Sequence, residues 1–484
     1  MPPRIVILGG GFGGLQCALE LEKSLARPGL AQVTLVNRDN FSLFTPMLHE
    51  VAASDLDLTH IVNPIRKLLK QVRFFNGEIV GVDTLRRVVR VSHGERHHDH
   101  ELPYDHLVVA LGSVTNYAGI PGLETHALAM KSLGDAAILR NRLISALEQA
   151  DVERHAGARR HLLTVVVAGG GFAGVETIAG VNDFLRHALR WYPSIRASEL
   201  RMLLVHSGEL ILPELGPQLG AYAQRKLAER GVEILTRSRV AAYEDGAVVL
   251  KDGTSVSAST LVWTAGTAPN PLLAQLPGRD ARGRLAVDAY LRVPEVPGLW
   301  AVGDAASVPD GDSDQPCPPT AQHALRQGRQ LAKNIAATVR GQALRPFRFR
   351  SPGALAAIGR RTGVARVFGM NFSGFLAWWM WRTVYLTKLP RFEKKLRVVL
   401  DWTLDLLFTK DLVQFMTFRS HGVSDAGMHA AHDGHDSVIR AGDTVRAHAS
   451  TTGTAHARAA APIAASTALT PPTEAGLTPQ EVTP

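Results

Sequence analysis

The sequence predicts an α/β protein built from two Rossmann-like dinucleotide-binding domains and a C-terminal amphipathic region of different character. Two glycine fingerprints of one kind lie 160 residues apart, Gly9-Gly10-Gly11-Phe12-Gly13-Gly14 and Gly169-Gly170-Gly171-Phe172-Ala173-Gly174. Each follows a β-branched apolar run, Ile5-Val6-Ile7-Leu8 or Thr164-Val165-Val166-Val167, and each opens an apolar helical pattern, which is the order strand, tight turn, helix. From about Pro346 the alternation of strand and helix patterns gives way to an aromatic, basic stretch.

Within a fingerprint the glycines have separate duties. The first permits the turn, the middle one lets backbone N–H groups approach a pyrophosphate, and the third lets helix pack on strand, while the helix N-terminus supplies positive partial charge. One glycine-rich turn is compatible with a purely structural role; two copies between strand and helix predict two dinucleotide sites. The candidate contacts are Gly9, Gly11, Phe12 and Gly14 in the first and Gly169, Gly171, Phe172 and Gly174 in the second.

The two copies are expected to hold different cofactors. The segment Gly298-Leu299-Trp300-Ala301-Val302-Gly303-Asp304-Ala305-Ala306 resembles the second flavin motif of two-dinucleotide flavoproteins, whose Asp contacts the ribityl-phosphate side of FAD. Gly303 and Asp304 are therefore candidate FAD contacts, although Asp also favours helix N-caps for its own sake. Leu107-Val108-Val109-Ala110-Leu111-Gly112 resembles the Ala-Thr-Gly strand end of the same fold, with Leu111 in place of Thr, and adds Ala110 and Gly112. The reading is an FAD-binding domain (1–160 and 291–345) split around an NAD(P)H-binding domain (161–290).

In this fold an acid about 20 residues past the fingerprint commonly accepts the ribose hydroxyls. The second strand of the first unit instead ends at Asn37-Arg38, and Asn37 can bond the FAD ribose without charge. In the second unit the corresponding strand ends at His206, which removes the repulsion a 2′-phosphate would meet. NADH is the expected nicotinamide cofactor, with NADPH left open; Ala265 and Gly266 complete its binding set.

Composition narrows the classes. A chain of 484 residues with 45% hydrophobic content buries a large core. The excess of 53 Lys and Arg over 44 Asp and Glu, +9, suits an anionic cofactor or membrane and demands no nucleic acid. Two cysteines, Cys17 and Cys317, without a Cys-x-x-Cys argue against a disulfide framework, a zinc site or a dithiol centre. Cys17 is expected to pack as a small apolar residue. His97, His98 and His100 read as a solvated hairpin turn, and His429, His432 and His435 as part of a tail, so no metal is expected. The first core strand begins almost at Met1, which leaves no room for a signal or transit peptide and points to nucleotide domains facing a reducing cytosol.

Four of the seven tryptophans, Trp378, Trp379, Trp381 and Trp402, fall in the C-terminal stretch. The 15 uncharged residues between Arg366 and Arg382 are short of the roughly 20 a spanning helix needs. The pattern continues with Val384, Tyr385, Leu386, Leu389 and Phe392 against Arg382, Lys388, Arg391, Lys394, Lys395 and Arg397. Aromatics for the headgroup boundary and cations for anionic lipid predict an interfacial, monotopic membrane element; packing on the protein's own surface or a dimer partner is the alternative. After about Asp425 the chain is Ala, Thr, Pro, Gly and His, and a disordered tail is expected over 426–484.

Pro318-Pro319-Thr320-Ala321-Gln322-His323-Ala324-Leu325-Arg326-Gln327-Gly328 resembles the Ala-Gln-x-Ala-x-Gln element of type II NADH:quinone oxidoreductases, single-subunit, non-pumping NADH dehydrogenases with a glutathione-reductase-like flavoprotein fold. Asn40 to Ala52, Lys131 to Ala136 and Gly174-Val175-Glu176 agree with that family, and Gly353 to about Phe415 resembles its membrane-anchoring domain. The resemblance implies hydride transfer from NADH to FAD and electron delivery to a membrane quinone, with residues 346–425 as the membrane-anchoring and quinone-site region. It implies that Ala321 and Gln322 lie by the flavin at the quinone tunnel. Glu176 is implied near nicotinamide and flavin, orienting the cofactor or relaying protons; the plainer reading is a first-turn carboxylate favoured by the helix dipole by about 0.3–1 kcal/mol. The implied location is peripheral, on the cytoplasmic face of the cell inner membrane, with a homodimer left open. Arg326 stands where the motif has its second Gln, which puts the quinone pocket's shape in question. A sulfide:quinone reductase, which needs catalytic cysteines, a soluble NAD(P)H-dependent reductase of an electron-carrier protein, and a redox-sensing scaffold are the rival readings.

Overall fold

The computed structural model describes residues 1–311 and 315–414. The expected tail, with His429, His432 and His435, lies outside these residues. The β-branched run before the first fingerprint forms the strand Arg4–Leu8, at the centre of a five-stranded parallel sheet. Gln32–Asn37 and then Arg73–Asn76 flank it on one side, His106–Val109 and then Leu299–Ala301 on the other. The last strand is distant in sequence, so the chain leaves this sheet and returns to it. In between, Thr164–Ala168 lies within a second parallel sheet, beside Arg201–Val205 and Thr260–Trp263, with Val232–Leu235 at the edge. Each parallel sheet is accompanied by a three-stranded antiparallel sheet, over 78–103 in the first unit and 240–257 in the second. His97 sits in the turn of the first of these, at φ +50°.

Both fingerprints make the sharp strand-to-helix turn for the same steric reasons. Gly9 and Gly169 have φ of +102° and +120°, a region costly for any residue with a Cβ. A Cβ on Gly14 would lie 1.9 Å from the Gly9 carbonyl oxygen, and one on Gly174 1.8 Å from that of Gly169. Only hydrogen there lets the helices Phe12–Ser24 and Phe172–Ala188 start so close to their strands. The first of these helices also packs against the helix Ala321–Val339, where a Cβ on Gly328 would meet the Gly13 carbonyl at 2.2 Å. Cys17 is fully buried in that contact region as a small apolar side chain.

The C-terminal stretch opens with strands that its helical periodicity did not announce. Gly353–Ala357, Gly363–Val367 and Met370–Ser373 form a three-stranded antiparallel sheet, followed by helices Gly374–Lys388 and Phe392–Leu407. The sheet and both helices contribute Leu355, Ala356, Val364, Ala377, Trp381, Val398 and Trp402 to the apolar core that also holds the helix Phe172–Ala188. No helix among the described residues is long and apolar enough to cross a membrane.

The glycine geometry separates two kinds of variant. Gly14→Ala and Gly174→Ala drive a methyl group into backbone, an overpacking worth about 1–3 kcal/mol or more, and are expected to lower the melting temperature by several degrees or abolish soluble expression. Gly11→Ala and Gly171→Ala face open space and, stripped of cofactor, are expected to melt like cofactor-free wild type, since a bound cofactor adds stability of its own; a thermal scan of the four variants in the cofactor-free state checks this.

Candidate active site

The two fingerprints are latched by the same device made from different residues. The Gly10 N–H donates to Asn37 Oδ1 at 2.7 Å, and the Gly170 N–H donates to His206 Nδ1 at 3.2 Å. Asn37 and His206 thus each engage the turn they face, and Nδ1 of His206 must be the unprotonated ring nitrogen to accept there. Arg38, one residue further on, is exposed. Helices Phe12–Ser24 and Phe172–Ala188 begin at Gly11 and Gly171 with no side-chain cap, and a Cβ at either glycine would enter open space. Uncapped N–H groups at a turn with open space beside it, with the positive partial charge of the helix behind them, fit a pyrophosphate at each turn. Phe12 contacts Phe44 edge to face at 5.9 Å, and Phe172 is half-buried against the core.

The other candidates for the first cofactor gather at the carboxyl end of the same sheet. Ala110 and Gly112 follow the strand His106–Val109, and Gly303 follows Leu299–Ala301. Asp304 Oδ2 accepts from Ser113 Oγ at 2.7 Å, and Lys131 Nζ donates to that hydroxyl at 2.9 Å. Burial lowers the Lys131 pKa while Asp304 opposes the shift. Asp304 is therefore held by a side-chain relay instead of capping a helix. The Gly303 N–H donates to the buried Gln327 Oε1 at 2.8 Å. Ala321 opens the helix that carries Gln327, and Gln322 Nε2 donates to the Gly353 carbonyl at 3.0 Å, joining this helix to the C-terminal sheet. Arg326 turns the other way: its guanidinium lies 4.1 Å over the Phe349 ring. On the second sheet, Ala265 and Gly266 are exposed just past the strand Thr260–Trp263.

Glu176 is almost fully buried on the second fingerprint helix. Its Oε1 accepts from the Ala357 N–H at 3.1 Å and from Trp381 Nε1 at 2.9 Å, both from the C-terminal stretch. Burial pushes its pKa up to about 8 against these two donors. His49 Nδ1 stands 3.8 Å from Oε2, but burial pushes the His49 pKa down to about 3, so the pair is a polar contact between neutral groups. Next to it, Glu50 is also held near pKa 8 by burial, opposed first by Arg382, and accepts from Trp402 Nε1 at 3.3 Å. The Arg382 guanidinium is sandwiched 4.2 Å from Trp378 and 4.5 Å from Trp402. His49, Glu50, Glu176, Trp378 and Arg382 line a cavity of about 300 Å³.

That arrangement corrects the reading of the C-terminal aromatics and cations. Trp381 and Trp402 are buried indole donors to carboxyl groups, and Trp379 is the exposed one of the four. Arg382 is stacked inside, and the buried Lys394 donates to the Thr59 carbonyl at 2.6 Å. Glu50, His49 and Arg382 were not singled out from sequence as site residues. His49 and Glu50 sit in the 40–52 stretch that carried the resemblance, but nothing local marks their side chains as meeting Glu176. Cys317 is buried, which pushes its thiol up to about 11; a protonated, inaccessible thiol does not suit cysteine-based sulfide chemistry.

Fold and site together define a flavin- and nicotinamide-dependent oxidoreductase of the two-dinucleotide class. Residues 3–328 match the family model described as pyridine nucleotide-disulphide oxidoreductase, and residues 352–411 match that of the NDH2 C-terminal domain. The chain is 31% identical over 429 residues to a type II NADH:quinone oxidoreductase of Mycobacterium tuberculosis, covering 84% of this chain and 90% of that protein. It is 32% identical to a demethylphylloquinone reductase of Synechocystis, covering 83% and 95%. NDH2 of Plasmodium falciparum, solved in complex with NADH, superposes with a TM-score of 0.80 at 20% identity, over 85% of this chain and 100% of that one. The chain belongs to the type II NADH:quinone oxidoreductase family.

Two expectations test the site. Gly11→Ala fills the pyrophosphate cradle and should give folded protein without the yellow colour of bound flavin, whereas Gly171→Ala should stay yellow with a raised KM for NADH; the reverse pattern exchanges the two sites. Glu176→Gln keeps the acceptor oxygen but never needs a proton. Wild-type Glu176 must take one up on folding at any pH above the ordinary carboxylate range and below about 8, a cost that grows across that window. The melting temperature of the variant should therefore gain on wild type between pH 5 and pH 8; a gap independent of pH would mean that the buried carboxyl is already ionised.

Proposed function

We propose that this chain oxidises NADH at the second fingerprint and reduces a membrane quinone where the Ala321–Val339 helix meets the C-terminal sheet, with Glu176 and Gln322 at the junction. FAD, when bound, accepts hydride from NADH and hands two electrons to quinone, and the protein pumps no protons. The residues do the positioning. Gly11 and the uncapped turn behind it would hold the FAD pyrophosphate, Asp304 the ribityl-phosphate side, and Gly171 with its turn the NADH pyrophosphate. His206, carrying no negative charge, leaves NADPH open. Phe12, Phe44, Tyr385 and Trp381 form a row of edge-to-face ring contacts of 4.8–6.1 Å, an apolar wall suited to a planar quinone ring. The observation that carries the reading is the double hydrogen bond from the C-terminal stretch to Glu176, which seats a nucleotide-domain carboxyl group against the membrane module.

The membrane contact falls to the exposed face of the helix Phe392–Leu407. Phe392, Leu396, Leu400 and Leu404 recur at four-residue steps on that face, whereas Lys394, Val398 and Trp402 face the protein. A stripe of that kind on a helix too short to span binds in the interface plane, and we assign it to the cytoplasmic leaflet. Because burying a Leu or Phe fully is worth about 1.5–3 kcal/mol, replacing these four exposed residues with Ser should cut sedimentation with anionic vesicles by more than tenfold. Long-chain quinone reduction should fall with it, while NADH oxidation by a water-soluble acceptor survives. Unchanged vesicle binding, or a change in oligomer size instead, would assign the stripe to a second copy of the chain.

A further inference from the structure

Two cations from separate parts of the chain, Arg326 and Lys388, converge without an acid to match them. Arg326 is exposed on the helix Ala321–Val339, where its guanidinium lies 4.1 Å over the Phe349 ring. Lys388 closes the helix Gly374–Lys388, with Nζ 5.6 Å from the centroid of the Tyr385 ring. Among the described residues neither takes part in an ion pair. The acids around this helix end act elsewhere: Glu20 lies 4.0 Å from Arg329, and the charge of Asp310 acts on His323. Burial lowers the Lys388 pKa, and the Arg326 charge lowers it further. The like-charge cost falls on Lys388 because an ammonium loses its proton long before a guanidinium does. Two cations held together in this way are a standing cost that an anion between them removes.

We propose that Arg326 and Lys388 clamp the phosphate of one anionic phospholipid, at the end of the ring row that Tyr385 forms. The inference rests on the membrane reading of the helix Phe392–Leu407 given above.

The donors suit an oxyanion. Arg326 uses one N–H on the Gln322 carbonyl at 3.1 Å and has the rest of a planar fork to offer, a geometry that matches phosphate. Lys388 Nζ makes no hydrogen bond to a described residue. Lys395 Nζ donates to the Thr387 carbonyl at 3.0 Å, which brings a third cation to the same helix end. A single phosphodiester charge is therefore outnumbered by cations, and a zwitterionic headgroup, which carries a cation of its own, meets repulsion there.

Position favours a lipid over a soluble phosphate. Lys388 stands four residues before Phe392, the first member of the exposed apolar stripe. A helix lying in the interface plane keeps the residues beside it at headgroup level. On its other side Tyr385 contacts Phe44 at 6.1 Å, so the bound headgroup would border the ring row assigned above to the quinone.

The FAD-loaded full-length chain in neutral detergent micelles can be titrated with phosphatidylglycerol carrying a dansyl acyl chain. Binding is read as energy transfer from tryptophan, since Trp378, Trp379 and Trp381 share a helix with Lys388. Saturable binding is expected, about tenfold tighter than that of dansyl phosphatidylcholine. Arg326→Gln and Lys388→Gln should each weaken it by about tenfold or more, the usual effect of removing a charged donor. Arg326→Lys, which keeps the charge without the fork, should weaken it less and serves if the Gln variant fails to fold. Arg397→Gln removes an equal charge that is not felt at Lys388 and should change little. Equal affinity for the two lipids, or unchanged affinity in both Arg326 variants, overturns the proposal. So does an equal loss in Arg397→Gln, which would reduce the effect to net charge. Displacement by millimolar inorganic phosphate at matched ionic strength would overturn the lipid assignment in favour of a soluble phosphate. The measurement uses no bilayer, NADH or quinone, so its failure is separate from failure of the vesicle test of the Phe392–Leu407 stripe.

Discussion

The Glu176 carboxyl group stands where three parts of the chain meet: the second fingerprint helix that carries it, the Ala357 backbone of the C-terminal sheet, and the Trp381 indole of the first C-terminal helix. A buried acid with two donors keeps its place only if both donors do, because an unsatisfied buried oxygen costs about 1–3 kcal/mol. The C-terminal stretch is therefore docked against the nucleotide domain by a polar contact inside an apolar core, which fixes orientation in a way that apolar packing alone does not. Trp402 makes the matching contact to Glu50, which lines the same cavity as Glu176. Around the rim, Lys410 with Asp55, His60 with Asp401 and Lys394 with the Thr59 carbonyl tie the last helix and the segment after it to residues 53–60.

That docking joins two helices that follow strands of different parallel sheets. The helix bearing Glu176 begins at the second fingerprint turn, and the helix bearing Gln322 is bonded to Gly303 through Gln327 and to the first residue of the C-terminal sheet through Gln322. Both helices thus meet the C-terminal module within two turns of their N-terminal ends. Chemistry that passes electrons between a soluble and a lipid-borne substrate needs such fixed distances, since small misplacements cost large factors in rate.

The two turns show how one fold requirement is met by unlike residues. An amide oxygen at Asn37 and a ring nitrogen at His206 each accept from the middle glycine of their fingerprint. Neither brings the negative charge often found at that strand end. A ribose placed at either strand end would meet an uncharged group, without the electrostatic source of discrimination against a 2′-phosphate that an acid there supplies.

Much of this was readable from local pattern. Gly9 to Gly14 and Gly169 to Gly174 sit between apolar runs of the right length, and a tight turn under close helix packing admits almost nothing but glycine at the first and last positions. Gly303-Asp304 was read instead through its resemblance to a flavin motif, and the C-terminal stretch as too short to span a bilayer from the length of its uncharged run. The orientation of its helices was not legible. Tryptophans at 378, 379, 381 and 402 look alike in sequence, and helical rotation against the core decides that Trp381 and Trp402 turn inward to carboxyl groups 205 and 352 residues away while Trp379 faces out. The same rotation moved Arg382 and Lys394 from the expected lipid face into the protein. The sequence by itself determined the two nucleotide cradles, because steric rules at a turn act over a few residues. Only the tertiary structure decided that Glu176, Glu50 and His49 share one buried cavity, because their protonation depends on burial and donors that distant segments bring.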